Sequence, residues 1–175
     1  MQGVAARYPA FDAPAGRVLN LEQRINSCRT ERQQAPPFAY ESRELLALTA
    51  YIASQSRGLP IQVAIDGPAR PFFEAGRDFF LVRQGQLNLA CRHCHEDHWG
   101  KRLRGNPISQ GHGNGYPIYR LEWQTLGSLH RRLRSCNIGV RAEPYAYGSQ
   151  EYVNLELFLA WRARGLKIET PAVRR

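Results

Sequence analysis

The sequence predicts a mainly α-helical fold built from two related halves. Two segments have apolar residues spaced for one face of a helix, and each segment follows a serine and ends before a glycine. The apolar residues are Leu45, Leu46, Leu48, Thr49 and Ile52 in the first segment, and Val153, Leu155, Leu157, Phe158 and Trp161 in the second. Ahead of each segment lies the same short pattern, an arginine four residues before a cysteine. Two helices at equivalent places therefore point to a duplicated helical unit.

The duplication extends well beyond these helices. Arg24 to Cys28 recurs as Arg132 to Cys136, and the segment 37–40 (Pro-Phe-Ala-Tyr) parallels 144–147 (Pro-Tyr-Ala-Tyr). Because Gly and Pro bound the stretch 59–68, we expect a linker there between a first unit, residues 1–58, and a complete second unit, residues 69–175. The part of the first unit that would match residues near Cys91 falls before Met1. We therefore expect residues 1–58 to be the distal half of a domain truncated on its N-terminal side.

The run Cys91-Arg92-His93-Cys94-His95 is the most specific motif in the chain. In C-x-x-C-H, the two thiols can add to the vinyl groups of haem, and the histidine can ligate the iron. A structural zinc site would need a second C-x-x-C or a closely spaced pair of histidines downstream, where Cys136 is the only further cysteine and the histidines are far apart. A redox disulfide would need hydrophobic strands around it, whereas the flanks are rich in Gly, Arg and His. The motif predicts one covalently bound haem c, and with the duplication it predicts tandem cytochrome c-like domains.

Two helices should flank the haem-binding turn in the second unit. The pattern predicts a first helix over about Phe72 to Leu89, ending just before Cys91. It also predicts a basic amphipathic helix over Leu126 to Arg134, which would leave Cys136 directly after the helix.

The second axial ligand of the iron cannot be an internal methionine, because Met1 is the only methionine. The remaining candidates are His93, His98, His112, His130 and Cys136. His93 and His98 are too close to the attachment turn to reach the opposite face, and His112 lies in a glycine-rich loop that could approach haem. Cys136 is favoured by the repeat, although a lone thiol is also often a small buried apolar group. Arg131, Arg132 and Arg134 should lower the pKa of its thiol and attract a small oxyanion. Arg131 and Arg134 are equally consistent with a solvated basic face of the helix, whereas Arg132, one turn before Cys136, shares the face of the cysteine.

Composition excludes several other classes. The chain has a net charge of +9 and is 43% hydrophobic, without a run long enough to span a membrane. Its arginines are scattered rather than clustered, which argues against nucleic-acid binding. The first residues carry no secretory signal, yet covalent haem attachment takes place outside the cytoplasm. We therefore expect a periplasmic protein, with the signal removed or the true start upstream.

Taken together, these motifs resemble those of the SoxA family, the larger cytochrome subunit of SoxAX. The resemblance covers the chain through the segment 20–26 (Asn-Leu-Glu-Gln-Arg-Ile-Asn), the C-x-x-C-H run, the segment 116–124 (Tyr-Pro-Ile-Tyr-Arg-Leu-Glu-Trp-Gln), Arg132-x-x-x-Cys136 and Pro144-Tyr145. It implies an L-cysteine S-thiosulfotransferase of sulfur oxidation, which joins thiosulfate oxidatively to the carrier cysteine of SoxY in SoxYZ. The implied partners are SoxX, SoxYZ and a cytochrome c electron acceptor.

The resemblance also implies the role of each site residue. Cys91 and Cys94 would hold haem covalently, and His95 and Cys136 would ligate its iron. Cys136 would also be the catalytic sulfur, carrying a persulfide, and Arg132 would bind thiosulfate. Cys28 would correspond to a ligand of a second haem or to half of a disulfide. A thiosulfate dehydrogenase that forms tetrathionate and a plain electron carrier remain alternatives.

Overall fold

A computed structural model describes residues 1–103 and 105–175. Within them the chain forms six α-helices and seven short strands, which agrees with the predicted mainly α fold. The helices are α1 (Leu21–Gln33), α2 (Arg43–Ser54), α3 (Arg70–Leu81), α4 (Cys91–His95), α5 (Leu129–Gly139) and α6 (Gln150–Arg162). The strands are β1 (Ala10–Asp12), β2 (Arg17–Leu19), β3 (Arg102–Leu103), β4 (Asn106–Pro107), β5 (Ile118–Arg120), β6 (Thr125–Gly127) and β7 (Ala172–Arg174). No helix in the described part of the chain is long and apolar enough to cross a membrane.

Helices α1 and α2 resemble α5 and α6 in how they begin. The side chains of Asn20, Ser42, Ser128 and Ser149 each accept a hydrogen bond from a backbone N–H in the first turn of the helix that follows. Cys28 and Cys136 occupy the same position in α1 and α5, seven residues after the first. The sequence repeat therefore coincides with two similar helix pairs.

The core of the protein lies where α3 crosses α6. Phe73 and Phe80 of α3 pack against Phe158 of α6, with ring centroids 5.7 and 5.3 Å apart. Gly76 lies at the crossing, where a Cβ atom would overlap the carbonyl oxygen of Asn154. Its missing side chain lets the two backbones touch. This crossing fixes the direction in which the chain leaves α3 toward Cys91.

The predicted boundaries of two helices were wrong. Helix α3 ends at Leu81 rather than near Leu89, because the backbone is extended at Val82, with a φ of −72° and a ψ of 133°. Gly85 and Asn88, with positive φ values of 67° and 51°, then turn the chain. Helix α5 begins at Leu129 rather than Leu126, because Leu126 and Gly127 belong to β6. Cys136 therefore lies inside α5, not after it. In α2, Leu48 is 40% exposed and lies outside the buried stripe to which it was assigned.

The segment predicted as a linker is extended and packed against the second helix pair. The backbone N–H of Ile61 donates to the carbonyl of Leu166 over 2.9 Å, and that of Gly165 donates back to Ile61 over 3.1 Å. Ile61 and Val63 are buried. These contacts hold residues 59–68 against the loop after α6.

A buried polar cluster joins α1 to α5 and α6. His130 Nε2 lies 3.1 Å from Glu156 Oε2, and Asn20 Nδ2 donates to the same oxygen over 3.0 Å. The backbone N–H of Gly148 donates to His130 Nδ1 over 3.1 Å, so His130 is a neutral imidazole with its proton on Nε2. Its two nitrogens are thus both engaged, which removes His130 from the candidate iron ligands.

Glu22 is the second carboxyl group of this cluster. Burial, and secondarily the charges of Glu156 and Glu41, raise the pKa of Glu22 to about 8. Glu22 and Glu156 both line a cavity of about 80 Å³ between α1, α2, α6 and the loop 113–116. A pKa of about 8 means that Glu22 is mostly protonated at neutral pH.

Candidate functional site

The predicted haem-attachment residues lie together on α4, a single helical turn. Cys91 packs against the hydrophobic core and Cys94 is half-buried. Burial raises the pKa of the Cys91 thiol to about 12, so that thiol is protonated at neutral pH. The turn presents both thiols and His95 from five consecutive residues, the spacing that covalent attachment requires.

His95 is oriented by a hydrogen bond of the kind that metal-ligating histidines make. Its Nδ1 lies 2.7 Å from the carbonyl oxygen of Ser109, which can only accept, so Nδ1 carries the proton and Nε2 is left with its lone pair. Burial lowers the pKa of the imidazole, which favours the neutral, ligating form. Gly111, with a φ of 76°, lies against the ring, where a Cβ atom would come within 3.1 Å of Cγ. The loop after β4 therefore fixes the ring from behind.

The other histidines near the turn are held by local contacts. The backbone N–H of Ala90 donates to His93 Nδ1 over 2.8 Å, and His98 Nδ1 lies 2.6 Å from the carbonyl oxygen of His93. Burial, and secondarily the charges of Arg162 and His95, lower the pKa of His112. The two hydrogen bonds hold His93 and His98 beside the attachment turn.

Cys136 lies in α5, near the attachment turn. Arg132 precedes it by four residues, so the two side chains share one face of the helix. Cys94 and Arg132 both influence the pKa of the Cys136 thiol, and Cys136 in turn influences that of Cys91. The thiols of the haem-attachment turn on α4 and the sulfur on α5 are therefore close together.

The sequence predicted that nearby arginines would lower the pKa of Cys136, but in the structure this pKa is raised. Burial raises the pKa of this thiol, and the opposing charges of Arg132 and Arg120 are smaller. Arg131 and Arg134 are not among the charges that shift this pKa, and their guanidinium groups lie over the rings of Trp123 and Tyr147, each 4.7 Å from the centroid. Of the three arginines named from the sequence, only Arg132 acts on the sulfur.

Three residues of the site were not identified from the sequence. Arg120 at the end of β5 is the second arginine beside Cys136, and the charges of Arg132 and Arg120 also act on Tyr116. Arg162 of α6 donates to the carbonyl of Gln110 over 2.9 Å and pairs with Glu96 over 3.2 Å, which ties α6 to the loops around His95. Arg120 and Tyr116 lie in the segment 116–124, so that motif could have indicated them. Arg162 lies in no motif that the sequence analysis found.

The donor set fits a covalently bound haem c. Two thiols stand on one turn, an imidazole nitrogen is free on the same turn, and the sulfur of Cys136 lies nearby on α5. The Ser109 carbonyl supplies the hydrogen bond that fixes the tautomer of the histidine. Cys28, by contrast, is exposed on α1 and takes no part in this arrangement.

Comparison with known proteins finds relatives along almost the whole chain. A family model described as "SoxA/TsdA, cytochrome c domain" matches residues 1–61. The chain is 46% identical over 174 residues to the L-cysteine S-thiosulfotransferase subunit SoxA of Rhodovulum sulfidophilum and 37% identical over 174 residues to that of Paracoccus pantotrophus. These alignments cover 99% of the chain. The chain belongs to the SoxA family.

Its fold is that of a SoxA subunit as well. The crystal structure of SoxXA from P. pantotrophus superposes with a TM-score of 0.96 at 36% identity, covering 99% of this chain and 66% of that one. The chain spans 61% of the length of the R. sulfidophilum SoxA and 60% of the P. pantotrophus SoxA. The predicted cytochrome c-like fold is therefore confirmed at the level of this family.

Proposed function

We propose that this chain carries the catalytic haem site of an L-cysteine S-thiosulfotransferase that joins thiosulfate to the carrier cysteine of SoxY in SoxYZ. The observation that supports this most is the position of Cys136, one helical turn from Arg132 and close to the thiols of the C-x-x-C-H turn. Relatives that align over almost the whole chain bear the name of this activity. The domain organisation proposed with it is a haem-binding unit over residues 69–175 beside a related lobe over residues 1–58.

The reaction defines what the site residues must do. A carrier thiol R–SH and thiosulfate, ⁻S–SO₃⁻, combine to give R–S–S–SO₃⁻, one proton and two electrons. A sulfur–sulfur bond forms, the S–H bond breaks, and both sulfur atoms that join are oxidised. The site therefore has to hold a dianion, expose a sulfur and bring two sulfur atoms into contact.

The residues of this chain suit these tasks. The Arg132 guanidinium presents paired donors to the sulfonate oxygens and is 39% exposed, so an anion can reach it from solvent. Cys136 is half-buried on the same helical face and would act as the catalytic sulfur, carried as a persulfide. His95 is held neutral and oriented by Ser109. Cys91 and Cys94 would hold a haem c covalently, with His95 and Cys136 as its iron ligands. The haem would take up the two electrons one at a time and pass each one on to the electron acceptor.

The proposed partners follow from the same reaction. SoxX would form the heterodimer, since the structural relative is a SoxXA complex, and a cytochrome c would take the electrons onward. SoxYZ would supply the acceptor cysteine. Covalent haem attachment is completed outside the cytoplasm, which supports a periplasmic location.

The family model also includes TsdA in its description, which favours thiosulfate dehydrogenase as the second candidate. That activity would couple two thiosulfates into tetrathionate and would need no carrier protein. An assay with thiosulfate and an electron acceptor, run with and without SoxYZ, separates the two. Tetrathionate formed at the same rate in both mixtures would support the dehydrogenase.

Replacing Cys136 by serine tests the proposed role of its sulfur. We expect conjugation of thiosulfate to SoxYZ to fall at least roughly a hundredfold, because serine supplies neither a persulfide nor a thiolate ligand. The measurement is mass spectrometry of SoxY after incubation with the haem-loaded SoxAX complex. Cys28→Ser is the matched control, since Cys28 occupies the equivalent position of α1 but is exposed and outside the site. Unchanged conjugation by Cys136→Ser would contradict the role.

A further inference from the structure

Two arginines from different elements lie beside Cys136. Arg132 lies on α5, one turn before Cys136, and Arg120 lies at the end of β5. One oxygen of Glu122 joins them, 2.9 Å from Arg120 Nε and 3.9 Å from Arg132 Nη1. Since one carboxylate oxygen contacts both guanidinium groups, Arg120 is placed beside the same turn of α5 that presents Cys136.

The pair keeps a surplus of positive charge and of donors. Two guanidinium groups share one carboxylate, which leaves a net charge of +1 at this point. Each guanidinium offers five N–H donors, far more than Glu122 accepts. The Arg120 Nε is buried, and within the described residues it has no acceptor aligned for a hydrogen bond, because the contact with Glu122 is an ion pair with poor geometry.

The local fold holds Arg120 at this position. Its side chain is only 12% exposed, and its guanidinium lies 5.2 Å from the centroid of the Trp123 ring. Trp123 in turn packs over Gly127, where a Cβ atom would collide with the ring. β5 is paired on both sides, with β6 and with β7, so its end is fixed by two strands. A buried arginine fixed this well, with a free donor, is suited to bind a ligand.

We infer that Arg120 and Arg132 form a two-guanidinium clamp for a small tetrahedral oxyanion beside Cys136, with Arg120 as its buried arm. The inference rests on the proposed function for the identity of the anion, which is then thiosulfate held by its sulfonate oxygens. Bidentate donation from two directions would fix the orientation of the sulfonate and turn the terminal sulfur toward Cys136. Arg120 is therefore a substrate-binding residue in addition to Arg132.

Binding of inorganic thiosulfate tests the clamp without reference to turnover. Isothermal titration calorimetry of the haem-loaded SoxAX complex with sodium thiosulfate would compare the unmodified protein with Arg120→Gln and Arg120→Lys. We expect the glutamine variant to lose roughly ten- to a hundredfold in affinity, the scale of one lost charge-assisted contact to a buried arginine. The lysine variant keeps the charge and the pairing with Glu122 but loses the forked donors of the guanidinium group. Its thiosulfate affinity should therefore lie between those of the unmodified protein and Arg120→Gln.

Arg131→Gln is the matched control, because Arg131 also lies over the Trp123 ring, 4.7 Å from its centroid, but is not among the charges that shift the pKa of Cys136. Its affinity should stay within about twofold of the unmodified protein. Should Arg120→Gln fail to fold, Arg120→Lys still decides, since a role in folding alone predicts unchanged thiosulfate affinity for that variant.

The outcomes separate this inference from the proposed function. Thiosulfate affinity that is the same with lysine at position 120, or no thiosulfate binding by the unmodified protein, would overturn the clamp. Arginine-dependent binding in a protein that conjugates no thiosulfate to SoxYZ would support the anion site and contradict the proposed function. If conjugation depends on Cys136 but thiosulfate affinity does not change when Arg120 is replaced, the proposed function is supported and the clamp is contradicted.

Discussion

Gly76→Ala should destabilise the protein by roughly 3 kcal/mol or more, although alanine is the better helix former. Helix propensity alone favours alanine by up to about 1 kcal/mol. At Gly76, however, the new methyl group would overlap the Asn154 carbonyl oxygen, which is backbone and cannot rotate away. The two helices would have to separate, and overpacking of this kind typically costs about 1 to 3 kcal/mol and occasionally more.

Thermal unfolding of the haem-loaded protein measures this effect. A loss of roughly 3 kcal/mol corresponds to a decrease in Tm of roughly 6 to 12 °C for a chain of this size. Gly139→Ala at the end of α5 is the matched control, because no atom lies within 4 Å of the position that its Cβ would take. The control should leave Tm unchanged or raise it. Equal Tm values for the two variants would contradict the close crossing of α3 and α6.

Glu22→Gln should remove a loss of stability that the protein suffers as the pH rises. The pKa of Glu22 increases from 4.5, its ordinary value, to about 8 in the folded protein. The group therefore contributes its full stability below pH 4.5, and this contribution is lost as the pH rises through about 8. Integrated over that interval, the loss is on the order of 3 to 5 kcal/mol. Glutamine fills the same space and never ionises.

The pH dependence of Tm between about pH 5 and 9 tests this directly. The variant should exceed the unmodified protein increasingly above pH 5, and the two should converge at lower pH. The groups that set the slope are Glu156 and Glu41, whose charges face Glu22 from α6 and from the start of α2. Glu31→Gln, an exposed change in the last turn of the same helix, should give a curve parallel to that of the unmodified protein. Parallel curves for Glu22→Gln would show that its carboxyl is not held protonated.

The parts of the fold predictable from the sequence were those set by local patterns. α2 and α6 follow from apolar spacing and a serine N-cap, both of which act within a few residues. The end of α3 and the start of α5 were misplaced because they depend on left-handed residues and on strand pairing. The parallel pairing of β5 with β7 joins residues about fifty positions apart, for which the sequence carries no local pattern.

The candidate site divides in the same way. Cys91, Cys94, His95, Arg132 and Cys136 belong to two short motifs, so they could be proposed from the sequence. The carbonyl of Ser109 and the side chain of Arg162 reach the site only through tertiary packing. The pKa of Cys136 was predicted in the wrong direction because charge can be counted along a sequence, whereas burial cannot.

Mass spectrometry of the haem-loaded protein tests the central claim, that Cys91 and Cys94 hold a haem beside a reactive sulfur on Cys136. The intact protein should carry the mass of one haem, located to the peptide that contains Cys91 and Cys94. The peptide that contains Cys136 should carry one additional sulfur, which is lost on reduction, and the peptide with Cys28 should not. A protein that carries no haem on the first peptide after expression with the haem-attachment machinery would contradict the account.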